Sequence, residues 1–308
     1  MTGPPPVDLA LRTVTLGSAL LLVGALPVAM LFLRSLGAAQ REVPRAVTRF
    51  RQVLRCAAVA VGASALLTFW RFADQLQAAS AKNDTGDAVL QALSSQVGSW
   101  TAIRVPVAVV LWFVVATALA APAPAGWLGW AAPAVVLAAS LPMTSHAGVT
   151  NALGILVDLL HLASGGVWVA GVLALAVVVP IALRAGTADR RRQVLLSCAA
   201  RFSRLAVLAV AVAVVTGFAQ PFLADVDLRS LSGTTWGAAA TMKLLLVVAI
   251  VVAGGVNHRV LIGRLKRARS RVRVDDSAAA LLGVVSLEVV LGVATVVAAA
   301  LLVSTPPP

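Results

Sequence analysis

Charged side chains are scarce in this sequence. They make up 12% of its 308 residues, whereas hydrophobic residues make up 60%, and the mean hydropathy is +0.94. Soluble domains carry about 25% charged residues. This composition excludes an ordinary soluble protein and leaves too little polar sequence for a separate soluble domain.

Cysteine is almost absent as well. The chain has two, Cys56 and Cys198, which form no CxxC pair and predict no disulfide framework. No nucleotide-binding motif occurs, so any transport would follow a gradient or a coupled ion. The N-terminal stretch MTGPPPVDLALR lacks a basic region before its apolar run, and we therefore expect no cleavable signal peptide.

Long apolar runs dominate the rest of the chain. A bilayer core of about 30 Å requires about 20 apolar residues in a helix, and eight segments meet this requirement: 10–33, 53–73, 104–121, 126–143, 151–183, 204–224, 236–258 and 278–303. The runs are continuous rather than alternating, which excludes a membrane β-barrel. The sequence predicts an all-α integral membrane protein, a bundle of about eight transmembrane helices divided into a half at 1–143 and a half at 144–308.

Positive charge is unevenly placed between these segments. The stretches 34–55, 184–204 and 259–273 hold most of the 25 lysines and arginines, and all three fall on one side of an eight-helix alternation. Basic loops stay in the cytoplasm, so the N-terminus and the C-terminus are both predicted to lie outside. The net charge of +13 then reflects topology and contact with anionic lipids, and it predicts no nucleic-acid binding.

The fifth apolar segment places ionisable residues deep in the membrane. At about 1.5 Å per residue, Asp158 lies about 10 Å and His161 about 15 Å from its outer end. Ionisable groups at such depth are costly and usually functional. Residues three or four apart share one helix face, which here holds Asn151, Gly154, Asp158, His161, Gly165 and Trp168. We expect this face to point into the bundle.

Two further ionisable groups lie at membrane depth. Lys243 is about 10 Å inside the seventh segment, level with Asp158, and Glu288 reaches about 14 Å inside the eighth. Lys243 with Asp158 is compatible with a buried structural ion pair or with a site that Lys243 releases when a metal arrives. Glu288 is compatible with a protonated acid bonded to another helix, a metal ligand or a proton acceptor.

Histidine and methionine complete the candidate site. His146 and Met143 lie at the predicted outer mouth above Asp158 and His161, and Met242 adjoins Lys243. Imidazole suits copper, thioether selects Cu(I), and carboxylate tolerates Cu(II). These residues indicate a path for a transition metal, although their spacing does not separate copper from zinc, a proton path or haem. The third histidine, His258, is predicted to cap a helix at the cytoplasmic interface.

An ordered set of motifs resembles the CopD-type family of copper resistance and copper transport membrane proteins. The set comprises SHAG at 145–148, VDLLHLASGGVWVAG at 157–171, RFSRLAVLAVAVAVVTGF at 201–218, TTWGAAATMKLLLV at 234–247, NHR at 257–259 and SLEVVLGVATVVAAALLVSTPPP at 286–308. These motifs cover most of the half at 144–308, whereas the half at 1–143 matches only in hydropathy and helix count.

The resemblance implies a multi-pass protein of the bacterial plasma membrane that takes part in copper uptake or homeostasis, and not an enzyme. It also implies an extracytoplasmic partner, a small CopC-like copper-binding protein, with copper in either oxidation state as the ion bound. Two alternatives stay open at this point. One is a membrane haem protein ligated by His146 and His161, and the other is a factor that delivers copper to an oxidase without transporting it.

Overall fold

The computed structural model describes residues 4–36, 43–79, 84–120, 124–144, 152–182, 184, 187–223, 226, 233–268 and 271–305. Helices account for almost all of these residues, and no strand occurs within the described ranges. The helices are α1 Pro6–Leu36, α2 Val43–Ala79, α3 Thr85–Ser94, α4 Gln96–Ala120, α5 Pro124–Ser140, α6 Ala152–Ala182, α7 Ala188–Leu223, α8 Thr235–Val256, α9 Ile262–Arg267 and α10 Arg271–Ser304.

Eight of these helices are long and apolar enough to cross a membrane. The short helices α3 and α9 are the exceptions; α9 continues α8 through a π-helical turn at Asn257–Leu261. The predicted all-α bundle of about eight spans is thereby confirmed. Helix α3 lies between the second and third apolar segments that the sequence predicts, and it buries Ala88 and Ala92.

Several helices extend beyond the apolar runs that predicted them. α2 begins at Val43 rather than near 53, and α7 begins at Ala188 rather than near 204. Most of the basic residues expected in loops therefore lie on helix ends. A hydropathy window finds only the part of a helix that suits hydrocarbon, whereas backbone hydrogen bonding continues into water wherever residues of good helix propensity follow.

Helix α1 and helix α6 form the centre of the bundle. α6 packs against α1, α7 and α10, and α1 also packs against α2 and α5. The α1–α6 contact is between backbones: a Cβ added at Gly24 would lie 1.9 Å from the carbonyl carbon of Gly166. Glycine is required at Gly24 because no side chain, even a methyl group, fits between the helices.

Polar contacts join the helices at both ends of the bundle. At one end Arg191 of α7 pairs with Asp275 of α10 at 2.9 Å; we call this the arginine-rich end. At the opposite end Arg71 of α2 pairs with Asp8 of α1 at 2.7 Å. The ring of Phe202 on α7 fills the space left by Gly171 on α6, where a Cβ would lie 1.8 Å from the ring.

Candidate functional site

His161 lies on α6 and is held by α7. Its Nδ1 is 2.9 Å from the backbone oxygen of Ala213 and 3.1 Å from Oγ1 of Thr216. A carbonyl oxygen only accepts hydrogen bonds, so Nδ1 must carry the proton. Nε2 is then left with a free lone pair, the arrangement that a metal-binding histidine requires.

Lys243 of α8 approaches that lone pair from the other side. Its Nζ is 3.4 Å from Nε2 of His161, and both side chains are partly buried. An ammonium group can only donate, which agrees with Nε2 acting as the acceptor. The predicted neighbour of Lys243 was Asp158, whose charge does act on Lys243; the hydrogen bond that Lys243 makes within the described ranges is to His161.

Asp158 is bonded to α7, one turn along from His161. Nε2 of Gln220 donates to Oδ1 of Asp158 at 2.5 Å. Gln220 and Thr216 are four residues apart on α7, and Asp158 and His161 are three apart on α6, so the two antiparallel helices meet through a short ladder of polar pairs. We call Asp158, His161, Thr216, Gln220 and Lys243 the His161 cluster.

A glycine creates the space that the imidazole occupies. A Cβ added at Gly217 of α7 would lie 3.0 Å from Cε1 of His161, closer than side chains normally pack. Sequence reasoning missed Gly217, Thr216 and Gln220. The signal was present, since Thr216 and Gln220 are two polar residues four apart in the otherwise apolar stretch 205–223.

Glu288 and Trp168 lie nearer the arginine-rich end. Trp168 packs on Gly292 of α10, where a Cβ would be 3.1 Å from its ring. Oε1 of Glu288 lies beside Gly254 of α8. Gly254 follows Lys243 by eleven residues, which is about 16 Å along the helix. The predicted site residues thus fall into two separate regions of the bundle.

The remaining predicted residues lie around or outside the cluster. Met143 is in a 3-10 turn at Pro142–Thr144, where Nε2 of Gln96 is 3.4 Å from its backbone oxygen. Met242 is 58% exposed on the bundle surface, so it does not share the face of Lys243. His146 and Asn151 lie outside the described residues, and the side chain of His258 is not described.

A buried arginine fixes the turn that carries Met143. Arg104 of α4 is 5% exposed and donates to Oγ of Ser140 at 2.9 Å and to Oγ1 of Thr144 at 2.5 Å. It also donates to the backbone oxygen of Ser140. Sequence reasoning did not single out Arg104, because it stands at the edge of an apolar run where a lone arginine is ordinary.

The clustered groups include few strong metal ligands. Among the described residues, no three His, Cys, Asp or Glu side chains lie close enough to hold one metal ion. His161 and Asp158 therefore offer two ligands, and a third from the described residues would have to be a weaker donor such as the amide oxygen of Gln220. Such a site suits brief occupation rather than storage.

Comparison with known proteins gives two matches. Residues 197–302 match the family model of CopD, copper resistance protein D. The chain is also 29% identical over 184 residues to the copper transport protein CutJ of Bacillus subtilis (strain 168), an alignment that covers 58% of this chain and 31% of CutJ. The chain thus spans about a third of the length of that relative. No solved structure matches.

The two sequence matches confirm the resemblance to CopD-type membrane proteins that the motifs indicated. The region that matches the family model contains Gln220, Lys243 and Glu288.

Proposed function

We propose that this protein carries copper ions across the bacterial plasma membrane, with His161 and Asp158 as the intramembrane ligands. The observation that carries the proposal is the anchoring of His161: Nδ1 donates to the backbone oxygen of Ala213, and the lone pair of Nε2 faces Lys243. Metal-binding histidines are commonly held in this way, by a carbonyl oxygen that accepts from the ring nitrogen away from the metal. The matches to copper resistance protein D and to a copper transport protein support copper as the ion.

Lys243 acts as an internal substitute for the metal. In the ion-free state its ammonium group donates to Nε2 of His161, the same lone pair that copper would use. An arriving ion displaces the ammonium, and the ammonium returns when the ion leaves. The ammonium group and the copper ion thus alternate at Nε2, and competition from the ammonium group keeps the site from retaining the ion.

The route to the cluster begins at the end opposite the arginines. The positive-inside rule places that end outside the cell, and both chain termini lie there in this orientation. Met143 is presented by the turn that Arg104 braces, and His146 follows it by three residues. We propose these two side chains as the first ligands met by the ion, with a CopC-like copper-binding protein as the donor that docks outside. The role is transport, without catalysis.

The test is copper accumulation in cells that express His161→Ala, His146→Ala and Asp158→Asn. Accumulation should fall toward that of cells without the protein in each variant, at equal amounts of protein in the membrane. His258→Ala removes the third histidine and serves as the matched control. Accumulation equal to wild type in both His161→Ala and His146→Ala would contradict the ligand assignment.

Flux in reconstituted vesicles separates transport from delivery. Purified protein in lipid vesicles should move copper into the lumen, and His161→Ala should not. Copper binding without flux would support instead a protein that hands copper to an acceptor. A Soret band in the purified protein would support haem.

A further inference from the structure

A second polar pair is buried about 16 Å from the His161 cluster. Glu288 of α10 is 2% exposed, and Asn257, the first residue of the π-helical turn, lies within hydrogen-bonding reach of its carboxyl group. Oε1 of Glu288 and Oδ1 of Asn257 are both buried, and neither has a hydrogen-bond donor within the described part of the chain.

The backbone of α8 is shaped around this pair. α8 ends at Val256, directly after the adjacent Gly254 and Gly255. The chain then continues in the wider π turn at Asn257–Leu261. A Cβ at Gly254 would be 3.8 Å from Oε1 of Glu288, an ordinary contact distance, so this carboxyl oxygen lies directly beside α8. Single π turns inside α-helices are rare and occur often at functional sites.

The two unsatisfied oxygens both require a hydrogen-bond donor. Both are acceptors, and a buried acceptor without a donor destabilises the protein; the hydrogen bond that Asn257 makes to the carboxyl group leaves these two oxygens unpaired. One proton bound to Glu288 removes the charge and supplies an O–H donor that Asn257 can accept. A proton therefore satisfies both groups at once.

Among the described side chains, charged groups on the neighbouring helices do not offer an alternative partner. Asp158 and His161 of α6 and Lys243 of α8 belong to the other cluster, and Asp8 and Arg12 of α1 lie near the far end of that helix. Arg201 and Arg204 of α7 and Arg259 of the π turn are exposed. On α10 itself the charged groups whose side chains are described are Arg273, Asp275 and Asp276, three turns or more away.

We propose that Glu288 and Asn257 form a proton-binding site, and that this proton is the ion coupled to copper movement. The coupling part rests on the proposed transport function. Glu288 holds the proton in the resting state and Asn257 accepts its hydrogen bond. Glu288 releases this proton toward the arginine-rich end and takes up the next one from the opposite end, once for each copper ion that passes.

Infrared spectroscopy tests the proton without copper. Wild-type protein at neutral pH should show the C=O stretch of a protonated carboxylic acid that disappears in Glu288→Gln and shifts in Asn257→Ala. Asp158→Asn identifies any contribution to this band from Asp158, the partly buried acid of the His161 cluster. A spectrum unchanged by Glu288→Gln would overturn the proposal, and Glu288→Gln is a neutral isostere of the protonated acid that should keep the fold.

Vesicles with an imposed pH gradient test the coupling. One pH unit corresponds to tenfold in equilibrium copper accumulation for each coupled proton, so wild-type accumulation should change by up to about tenfold per unit. Glu288→Gln should carry copper with no response to the gradient. A response retained in Glu288→Gln, or a response of wild type to a sodium gradient alone, would overturn the coupling. Absence of copper flux in wild type would refute the transport function, and the infrared band would still decide whether Glu288 binds a proton.

Discussion

Nζ of Lys243 lies 3.4 Å from Nε2 of His161, so an ammonium group already stands where an incoming cation would bind. His161 cannot turn away from it easily, because Nδ1 is bonded to α7 on the opposite side of the ring. Any cation that binds to Nε2 must therefore displace a positively charged group that the protein itself supplies.

Lys243→Leu should raise the affinity for copper and slow its release. Two unit charges about 4 Å apart repel by about 4 kcal/mol at an effective dielectric constant of 20, and even a third of that energy is tenfold in Kd. Leucine removes the charge and adds no metal ligand, and Lys243→Arg keeps the charge and serves as the control. Calorimetric titration of purified protein measures Kd, and equal Kd values for Lys243→Leu and wild type would refute the substitute role of Lys243.

Gly217→Ala should weaken the site without unfolding the protein. The new methyl group would lie 3.0 Å from Cε1 of His161 and would push the ring away from Ala213. Loss of that hydrogen bond costs about 1 kcal/mol, or roughly fivefold in copper affinity. Gly283→Ala is the matched control, since a Cβ there meets no atom within 4 Å. Affinity that stays at the wild-type value in Gly217→Ala would show that the ring position does not govern binding.

Gln220→Leu should destabilise the protein through Asp158. The substitution leaves the partly buried carboxyl group without the donor at 2.5 Å, which costs about 1–3 kcal/mol. In Asp158→Asn the same substitution should cost less, because the charged acceptor is already gone. A double-mutant cycle on the free energy of unfolding in detergent measures this difference, and additive effects would mean that the two side chains do not interact.

Gly24→Ala should disrupt the contact between α1 and α6. The added methyl group would lie 1.9 Å from backbone atoms of Gly166, and backbone cannot move aside as a side chain can. Overpacking of this kind typically costs 1–3 kcal/mol or more. Gly17→Ala on the same helix places its methyl group 3.5 Å from Val296, an ordinary contact. Thermal unfolding should separate the two variants, with only Gly24→Ala lowering the midpoint.

The sequence predicted the helices better than it predicted the partners of their side chains. Hydropathy located all eight spans, because burial in hydrocarbon demands apolar runs of a certain length. It also placed Asp158 and His161 on one helix face. Depth alone matched Lys243 with Asp158, whereas the structure puts Lys243 beside His161. Depth gives position along a helix and leaves open which way the neighbouring helix is rotated.

Rotation and packing also explain the other differences. Met242 and Lys243 are adjacent in sequence, but a step of one residue turns the helix by about 100°, and Met242 is exposed. The count along α10 gave the depth of Glu288, and only its contact with Gly254 of α8 shows that it lies apart from Lys243 along that helix. The role of Gly217 depends on which helix faces His161, which no single-helix pattern reveals.

The close packing of α1 and α6 determines how far the two sides of the His161 cluster are buried. In the most apolar windows, half of the α6 residues and 44% of the α1 residues are buried, against 11% for α7 and 17% for α8. Asp158 and His161 thus stand on the helix that the bundle encloses most, while Thr216, Gln220 and Lys243 belong to helices with most of their surface turned outward. Phe202 packs α7 against α6 near the arginine-rich end. The polar ladder therefore joins an enclosed helix to one that faces lipid along most of its length.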